Sequence, residues 1–328
     1  MRAARFCVLA AGMLSWLPGC AGSPAIGELR PANNRAWIQP QAKGTDLLYV
    51  ATGDNVYVLT YPKGTVVGSL GVSGNDLCAD TRGDVFVPSG YVILEYTHGS
   101  AYPSETLHGG DIPLGCAVDP QTGDLAVTQE GSGAGEVAIF PNAQEPSTWY
   151  RDPDITTFGL CGYDDRGNLF VDGAGSGDNL AELPYGSGTF RNYPLQSKFA
   201  GFGDIAWDGR HITLSNPATG FLYRLRFERT SFKAGGATRI KGWQNNYSGH
   251  WPYIQTMLQD GTFVAQSSEA AMLGVWCYPA GDRAGTLLGP FAGGNVNIYG
   301  VALSPAPRLA FRRQVWGRAA PNSIVVFR

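Results

Sequence analysis

The chain has 328 residues, of which 44% are hydrophobic and 16% are charged, and its formal net charge is -3. A chain of this size and composition can bury a large core, which excludes intrinsic disorder, and its weak negative charge excludes the basic surface that binds nucleic acid. The 45 glycines and 21 prolines are spread along the sequence, which favours many short strands and tight turns over long helices.

The amino terminus indicates export. Arg2 and Arg5 give a positive start, and residues 6–17 form an apolar run that is too short to span a bilayer. The run leads into the sequence LPGC at 17–20, which resembles the lipobox of bacterial lipoproteins, where the cysteine is acylated. This resemblance implies lipidation at Cys20.

These features divide the start of the chain into two segments. We predict a signal peptide at 1–19 and a polar tether at 20–35, which would make the protein an exported, membrane-anchored lipoprotein of the cell envelope that faces the periplasm or the exterior. Cleavage nearby without acylation, giving a secreted protein, is the alternative.

One unit recurs along the rest of the chain. It consists of a short apolar strand, a polar turn that carries Asp and Gly, and a second apolar strand. The turn glycines lie 39, 40, 44, 42 and 52 residues apart, a period typical of propeller blades. The recurring Asp and Gly indicate turn chemistry rather than a metal-binding loop, because Asp accepts local N–H bonds and Gly adopts positive φ. Seven copies are visible, beginning at Ile38, Cys78, Ala117, Gly162, Ile205, Met257 and Val301.

Each unit continues with a third strand that ends in an aromatic residue, followed by a turn and a weaker fourth strand. Such third strands lie at 56–62, 92–97, 137–141, 180–184, 275–279 and 324–327. The sequence therefore predicts an all-β fold, a β-propeller of four-stranded antiparallel blades that occupies residues 36–328 as a single domain. The count of first strands predicts seven blades, with six as the alternative.

The strand and turn pattern resembles a known group of propellers. Sequences such as GNLFV at 167–171 and VAIFP at 137–141 are similar to the NHL-type repeat and to related exported bacterial proteins. Enzymes with similar repeats include the gluconolactonase and calcium-dependent phosphotriesterase group and virginiamycin B lyase. The resemblance implies a fold and leaves the activity to be argued from a site.

In a propeller, the loops from strand four to the next strand one and from strand two to strand three gather on one face, which we call the loop face. Flat aromatic rings beside carboxylates and amides suit a small polar or sugar-like ligand. The predicted ligand-binding residues are Asp111, Tyr150, Asp152, Asp154, Trp243, His250, Trp251, Asn297 and Tyr299.

The related enzymes imply a second hypothesis, a metal-dependent hydrolase, lactonase or lyase. Such an enzyme would hold a calcium-like ion with oxygen ligands, for which Glu130, Asp152 and Asp172 are the candidates. His250 is the one candidate for a general base, because the repeat alignment places it on the loop face. We predict no other catalytic residue, and no cofactor unless that ion is present.

Of the four cysteines of the mature domain, three occupy first strands and Cys277 lies on a third strand. Cys116 and Cys161 fall at the same position of consecutive repeats, whereas Cys78 is offset by one residue and points to the other face of its strand. Because packed sheets lie about 10 Å apart and a disulfide needs Cα atoms within about 7 Å, we expect buried thiols rather than a bridge.

Together, these observations predict a binding protein more readily than an enzyme. The leading hypothesis is a monomeric scaffold that is held to a membrane by its lipid anchor and presents the loop face to a small polar ligand or a protein partner.

Overall fold

The computed structural model describes most of the chain between Ala36 and Pro307. In this part, two short 3-10 helices, Pro40–Gly44 and Pro141–Ala143, accompany the strands. None of the described helices is long and apolar enough to cross a membrane. The described residues are 36–130, 135–175, 178–195, 203–216, 219–229, 231–242, 258–259, 262–266, 273–282 and 298–307.

The strands pair as antiparallel sheets that follow one another along the chain. The first blade contains β1 (Trp37–Ile38), β2 (Leu47–Thr52), β3 (Val56–Thr60) and β4 (Val66–Ser69). The second contains β5 (Cys78–Ala79), β6 (Val85–Ser89), β7 (Val92–Tyr96) and β8 (Glu105–His108). The third contains β9 (Ile112–Val118), β10 (Leu125–Glu130), β11 (Gly135–Phe140) and β12 (Thr148–Asp152).

The same arrangement continues in the second half. The fourth blade contains β13 (Ile155–Tyr163), β14 (Leu169–Gly175), β15 (Asp178–Leu183) and β16 (Arg191–Pro194). The fifth contains β17 (Ile205–Trp207), β18 (Ile212–Asn216), β19 (Phe221–Phe227) and β20 (Phe232–Arg239). A three-stranded sheet follows, made of β21 (Leu258–Gln259), β22 (Thr262–Gln266) and β23 (Leu273–Cys277).

The last described strand, β24 (Ile298–Ser304), returns to the first blade. It pairs antiparallel with β2, from Leu47 opposite Ser304 to Thr52 opposite Ile298. The strand order of this sheet is β1-β4-β3-β2-β24, so the late strand takes the first-strand position and β1 becomes the outermost strand. The two ends of the described chain therefore meet in one sheet.

This closure corrects the blade count. Five blades of four or more strands are detected in the described residues, so the predicted seven and the alternative of six are both wrong. Two of the seven predicted first strands, at Ile38 and Val301, lie at opposite edges of the same blade. In the part of the chain that the structure describes, residues 258–277 form three strands rather than a complete four-stranded blade.

The core lies between neighbouring blades, as the prediction of radial packing requires. Phe86 and Ile93 of the second blade pack against Val127 and Phe140 of the third in one cluster of buried side chains. Separate clusters join the first blade to the second, the third to the fourth and the fourth to the fifth. Each blade thus buries its apolar faces against its neighbours.

The turns between first and second strands confirm the predicted Asp and Gly chemistry. In the second blade, Oδ1 of Asp80 accepts the N–H groups of Arg82 and Asp84 at 2.9 and 2.8 Å. Gly83 in this turn has φ of 94°, and a Cβ there would lie 2.5 Å from the carbonyl oxygen of Pro305. Both the backbone conformation and the lack of space therefore require glycine.

Side chains of the second strands tie neighbouring blades together. In the third blade, Oγ1 of Thr128 accepts the N–H of Gly115 at 2.9 Å and donates to the carbonyl of Gly159, in the fourth blade, at 2.5 Å. Asp172, at the same repeat position of the fourth blade, accepts N–H groups from Leu160 and Gly203. These bonds fix each first strand against the next one.

Cys78 and Cys116 form a disulfide between the second and third blades, which corrects the expectation of unbridged thiols. Their Cα atoms lie 5.7 Å apart because first strands converge towards the axis, where the blades are closer than the spacing of stacked sheets. The one-residue offset of Cys78 turns it towards the third blade, so that it faces Cys116. Cys161 is a free, buried cysteine.

Candidate functional site

The structure separates the predicted ligand-binding residues into several environments. Asp111 and Asp154 are exposed, Asp152 is buried, and Tyr150 and Tyr299 are half-buried. Tyr150 packs into the core between the third and fourth blades, and Tyr299 packs into the core between the first and second. The remaining predicted residues lie outside the described part of the chain: Trp243, His250, Trp251 and Asn297.

The candidate metal residues lie on different strands. Glu130 is exposed at the end of β10, Asp152 ends β12, and Asp172 is buried in β14. Among the described residues, no group of three or more His, Cys, Asp or Glu side chains is arranged to hold a metal ion. The enzyme hypothesis therefore stays a prediction.

The side chain of Asp172 bonds to backbone groups of the fourth blade and of the segment that enters the fifth blade. Its Oδ1 accepts the N–H of Leu160 and its Oδ2 accepts the N–H of Gly203, both at 2.7 Å. Burial raises its pKa to about 8, although these amide donors lower it. Since both oxygens already bond to backbone, this carboxyl group stabilises the ring.

Asp152 and Asp154 lie where the chain passes from the third blade to the fourth. Oδ1 of Asp152 accepts the N–H of Asp154 at 2.8 Å. The side-chain amide of Asn192, on β16 of the fourth blade, donates to Oδ1 of Asp152 and Oδ2 of Asp154, each at 3.2 Å. Two predicted residues are thus brought together with an amide that the sequence analysis did not identify.

A second group of predicted and new residues lies at the outer edge of the loop face, between the second and third blades. Trp149 is 39% exposed, and its ring covers Gly110, where a Cβ would lie 2.9 Å from the ring. Asp111 follows directly. Val92 pairs with His108, and this register places Tyr91, which is 67% exposed, opposite Gly109. We call Tyr91, Asp111 and Trp149 the rim patch.

A buried amide lies beneath this patch. The side chain of Gln129 is fully buried, and neither its Oε1 nor its Nε2 has a hydrogen-bond partner. A Cβ on Gly109 would lie 2.9 Å from the Nε2 atom, so the amide sits directly under the loop that carries Asp111. A buried amide without partners costs free energy, which a hydrogen bond to a ligand or to a water molecule would offset.

A small cavity of about 160 Å³ lies among the first strands. Its lining includes Asp76, Asp204, Cys161, Tyr163 and Trp207. Burial and the neighbouring Asp204 raise the pKa of Asp76 well above its usual value, and burial with nearby carboxylates raises that of Cys161. The cavity is smaller than the 300–1,000 Å³ or so of most ligand pockets.

The sequence analysis missed these axial carboxyl groups. Both precede an apolar first strand, Asp76 before Cys78 and Asp204 before Ile205. An acidic residue at the entry to two first strands was the signal that could have identified them.

Comparison with known proteins supports the fold. No family model matches the chain, and no curated protein matches it. Among solved structures, a Bacteroides caccae protein of unknown function has a TM-score of 0.58 at 12% identity, covering 79% of this chain and 99% of its own. A nidogen/laminin complex has a TM-score of 0.63 at 11% identity, and the match covers 80% of this chain and 99% of that chain. TolB from Acinetobacter baumannii has a TM-score of 0.56 at 12% identity, and the match covers 80% of this chain and 67% of TolB.

These similarities show the fold alone. The chain is a β-propeller with four-stranded antiparallel blades.

Proposed function

We propose that this protein is an exported binding scaffold of the cell envelope, anchored through lipid at Cys20, that binds a small polar or sugar-like ligand on its loop face. The single observation that supports the ligand is the rim patch. Tyr91 and Trp149 present exposed aromatic surfaces, and the ring of Trp149 covers the loop that carries Asp111.

The chemistry of this patch suits a hydroxyl-rich ligand. Aromatic rings provide apolar area for the face of a sugar ring, and the Asp111 carboxylate accepts hydrogen bonds from hydroxyl groups. The partnerless amide of Gln129 lies directly under the same loop. The resemblance to NHL-type propellers supports the scaffold role at the level of fold class.

Rigidity of the scaffold favours such binding. The disulfide and the Thr128 bonds fix the third blade to both of its neighbours. A site held in place before the ligand arrives loses less conformational entropy on binding.

Substitution of the rim patch tests the ligand. Tyr91→Ala should lower the affinity for a bound oligosaccharide at least about 10-fold, which is about 1.4 kcal/mol, because it removes an aromatic contact surface. The measurement is isothermal titration against a panel of soluble oligosaccharides and cell-wall fragments. The matched control is Tyr185→Ala, since Tyr185 is also 67% exposed but follows a third strand, on the opposite face.

Two results would contradict this part of the proposal. One is an equal loss of affinity in both tyrosine variants. The other is a panel in which nothing binds while a protein from the same envelope does, which would make the loop face a protein-binding surface.

Metabolic labelling tests the anchor. Cells that express the wild-type chain with an alkyne-tagged fatty acid should yield labelled protein in the membrane fraction, whereas Cys20→Ser should remain unlabelled and be released. Label on the Cys20→Ser variant, or none on the wild type, would contradict acylation at Cys20.

A further inference from the structure

The outer half of the fifth blade is strongly basic, although the chain as a whole is weakly acidic. Residues 221–241, which contain β19 and β20, carry six Lys or Arg side chains and one Asp or Glu, whereas the formal net charge of the whole chain is -3. Five of the six cations are exposed and the sixth is half-buried. We call these six residues the basic edge: Arg224, Arg226, Arg229, Lys233, Arg239 and Lys241.

Most of this charge has no neighbouring carboxylate. Lys233 lies 2.6 Å from Oε1 of Glu228, and Lys241 pairs with Asp282. In the part of the chain that the structure describes, no carboxylate oxygen lies within 4.0 Å of a nitrogen of the four arginines. Their positive charge is therefore available to an anion outside the protein.

The pairing of β19 with β20 concentrates this charge on the outermost strand. Arg226 lies directly opposite Lys233, and like charges at opposed positions of a sheet repel each other. A Cβ on Gly235 would lie 2.7 Å from Nε of Arg226. A Cβ on Gly236 would lie 2.5 Å from Nη2 of Arg224. The two glycines thus allow both guanidinium groups to lie against the backbone of β20.

The shape of the basic edge suits an extended partner. β20 is the outermost strand of the fifth blade. The register places Arg226 and Lys233 on one face of the blade and Arg239, which is opposite Phe221, on the other, because side chains alternate along a strand. Cations on both faces of an edge do not converge on one small ligand. They can approach a broad negative surface together, and a bilayer with anionic lipids attracts clusters of roughly 4–8 Lys or Arg side chains.

We propose that the basic edge is a docking surface for the anionic head groups of a lipid bilayer. The phosphate oxygens of the head groups accept hydrogen bonds from the guanidinium groups, which offer their donors in a planar fork. The contact is electrostatic and reversible, and it requires neither acylation at Cys20 nor a ligand on the loop face.

Vesicle binding tests this surface in the absence of the proposed lipid anchor. Purified Cys20→Ser protein is sedimented with vesicles of phosphatidylcholine alone or of phosphatidylcholine mixed with phosphatidylglycerol. Binding to the anionic vesicles should be at least about 10-fold tighter than binding to the neutral ones. It should weaken strongly between about 0.05 M and about 0.5 M salt, because salt screens exposed charges. Equal binding to the two kinds of vesicle would overturn the proposal.

Two double variants of the Cys20→Ser protein locate the surface. Arg226→Gln with Arg239→Gln should weaken binding to anionic vesicles at least about 10-fold, because each basic residue near the membrane contributes to the attraction. The matched control, Lys63→Gln with Arg166→Gln, removes the same charge from exposed positions of the first and fourth blades and should change binding less than about 2-fold. Equal losses in the two variants would contradict a localised surface.

Two further measurements complete the test. Thermal unfolding shows whether the glutamine variants are folded; if the first is unstable, Arg229→Gln with Lys233→Gln, which leaves the arginines over β20 in place, should show the same loss of binding. Dextran sulfate serves as a soluble polyanion. Tight binding of dextran sulfate without binding to anionic vesicles would assign the basic edge to a soluble polymer and overturn the proposal.

Discussion

Asp172 is a carboxyl group held between two blades and only 1% exposed. Burial raises its pKa from 3.8 to about 8 in the folded protein. The folded state therefore holds this proton more tightly than the unfolded chain does. As a result, the contribution of Asp172 to stability is fully present in acid and is lost as the pH rises from about 4 to about 8.

Replacement of Asp172 by Asn should reduce this pH dependence. The wild-type free energy of unfolding should fall with pH by up to about 1.4 kcal/mol per pH unit from this one group, and Asp172→Asn should lose that component. Urea unfolding at several pH values between about 5 and 8 measures both slopes. Asp76, whose pKa is also raised, remains in both proteins. Parallel curves for wild type and variant would contradict the assignment.

Most strands could be predicted from the sequence because the patterns that indicate a strand involve only neighbouring residues. The third strand predicted at 92–97 is β7, Val92–Tyr96, and the one predicted at 56–62 is β3, Val56–Thr60. Apolar runs and Asp-Gly turns arise from neighbouring residues, so the repeat could be read without coordinates. The repeat also placed Asp111, Asp152 and Asp154 at the ends of fourth strands, as observed, whereas their role in binding stays a prediction.

What the sequence did not reveal depends on pairing across long distances. The two-residue strand at Trp37–Ile38 looked like a first strand, but β24 takes that position from the other end of the chain. The offset of Cys78 was noticed, yet its meaning depended on how closely first strands approach the axis. Asn192 reaches Asp152 from a different blade, which no local pattern indicates.

At the scale of the whole molecule, β24 completes the first blade. This strand pairs with β2 along the full length of β2. Its residues Ile298 and Val301 pack in one buried cluster with Leu48 and Val50 of β2 and with Leu273 of the three-stranded sheet. Loss of β24 would remove a ladder of hydrogen bonds and expose this core at once.

Two truncations test this closure. A chain ending at residue 297 should lose cooperative unfolding and bind a hydrophobic dye, because the first blade lacks its first strand. A chain ending at residue 307 keeps β24 and is the matched control. Calorimetry and dye fluorescence compare the two, and closure by β24 would be refuted if both truncated chains melted at the same midpoint with equal enthalpy.

The outermost position of β1 also determines how the ring would be held. If the chain is anchored at Cys20 as proposed, the segment 20–35 would join the propeller at the circumference of the first blade rather than at either flat side. A force transmitted through that segment would act on the outer edge of the first blade before it reached the strands near the axis.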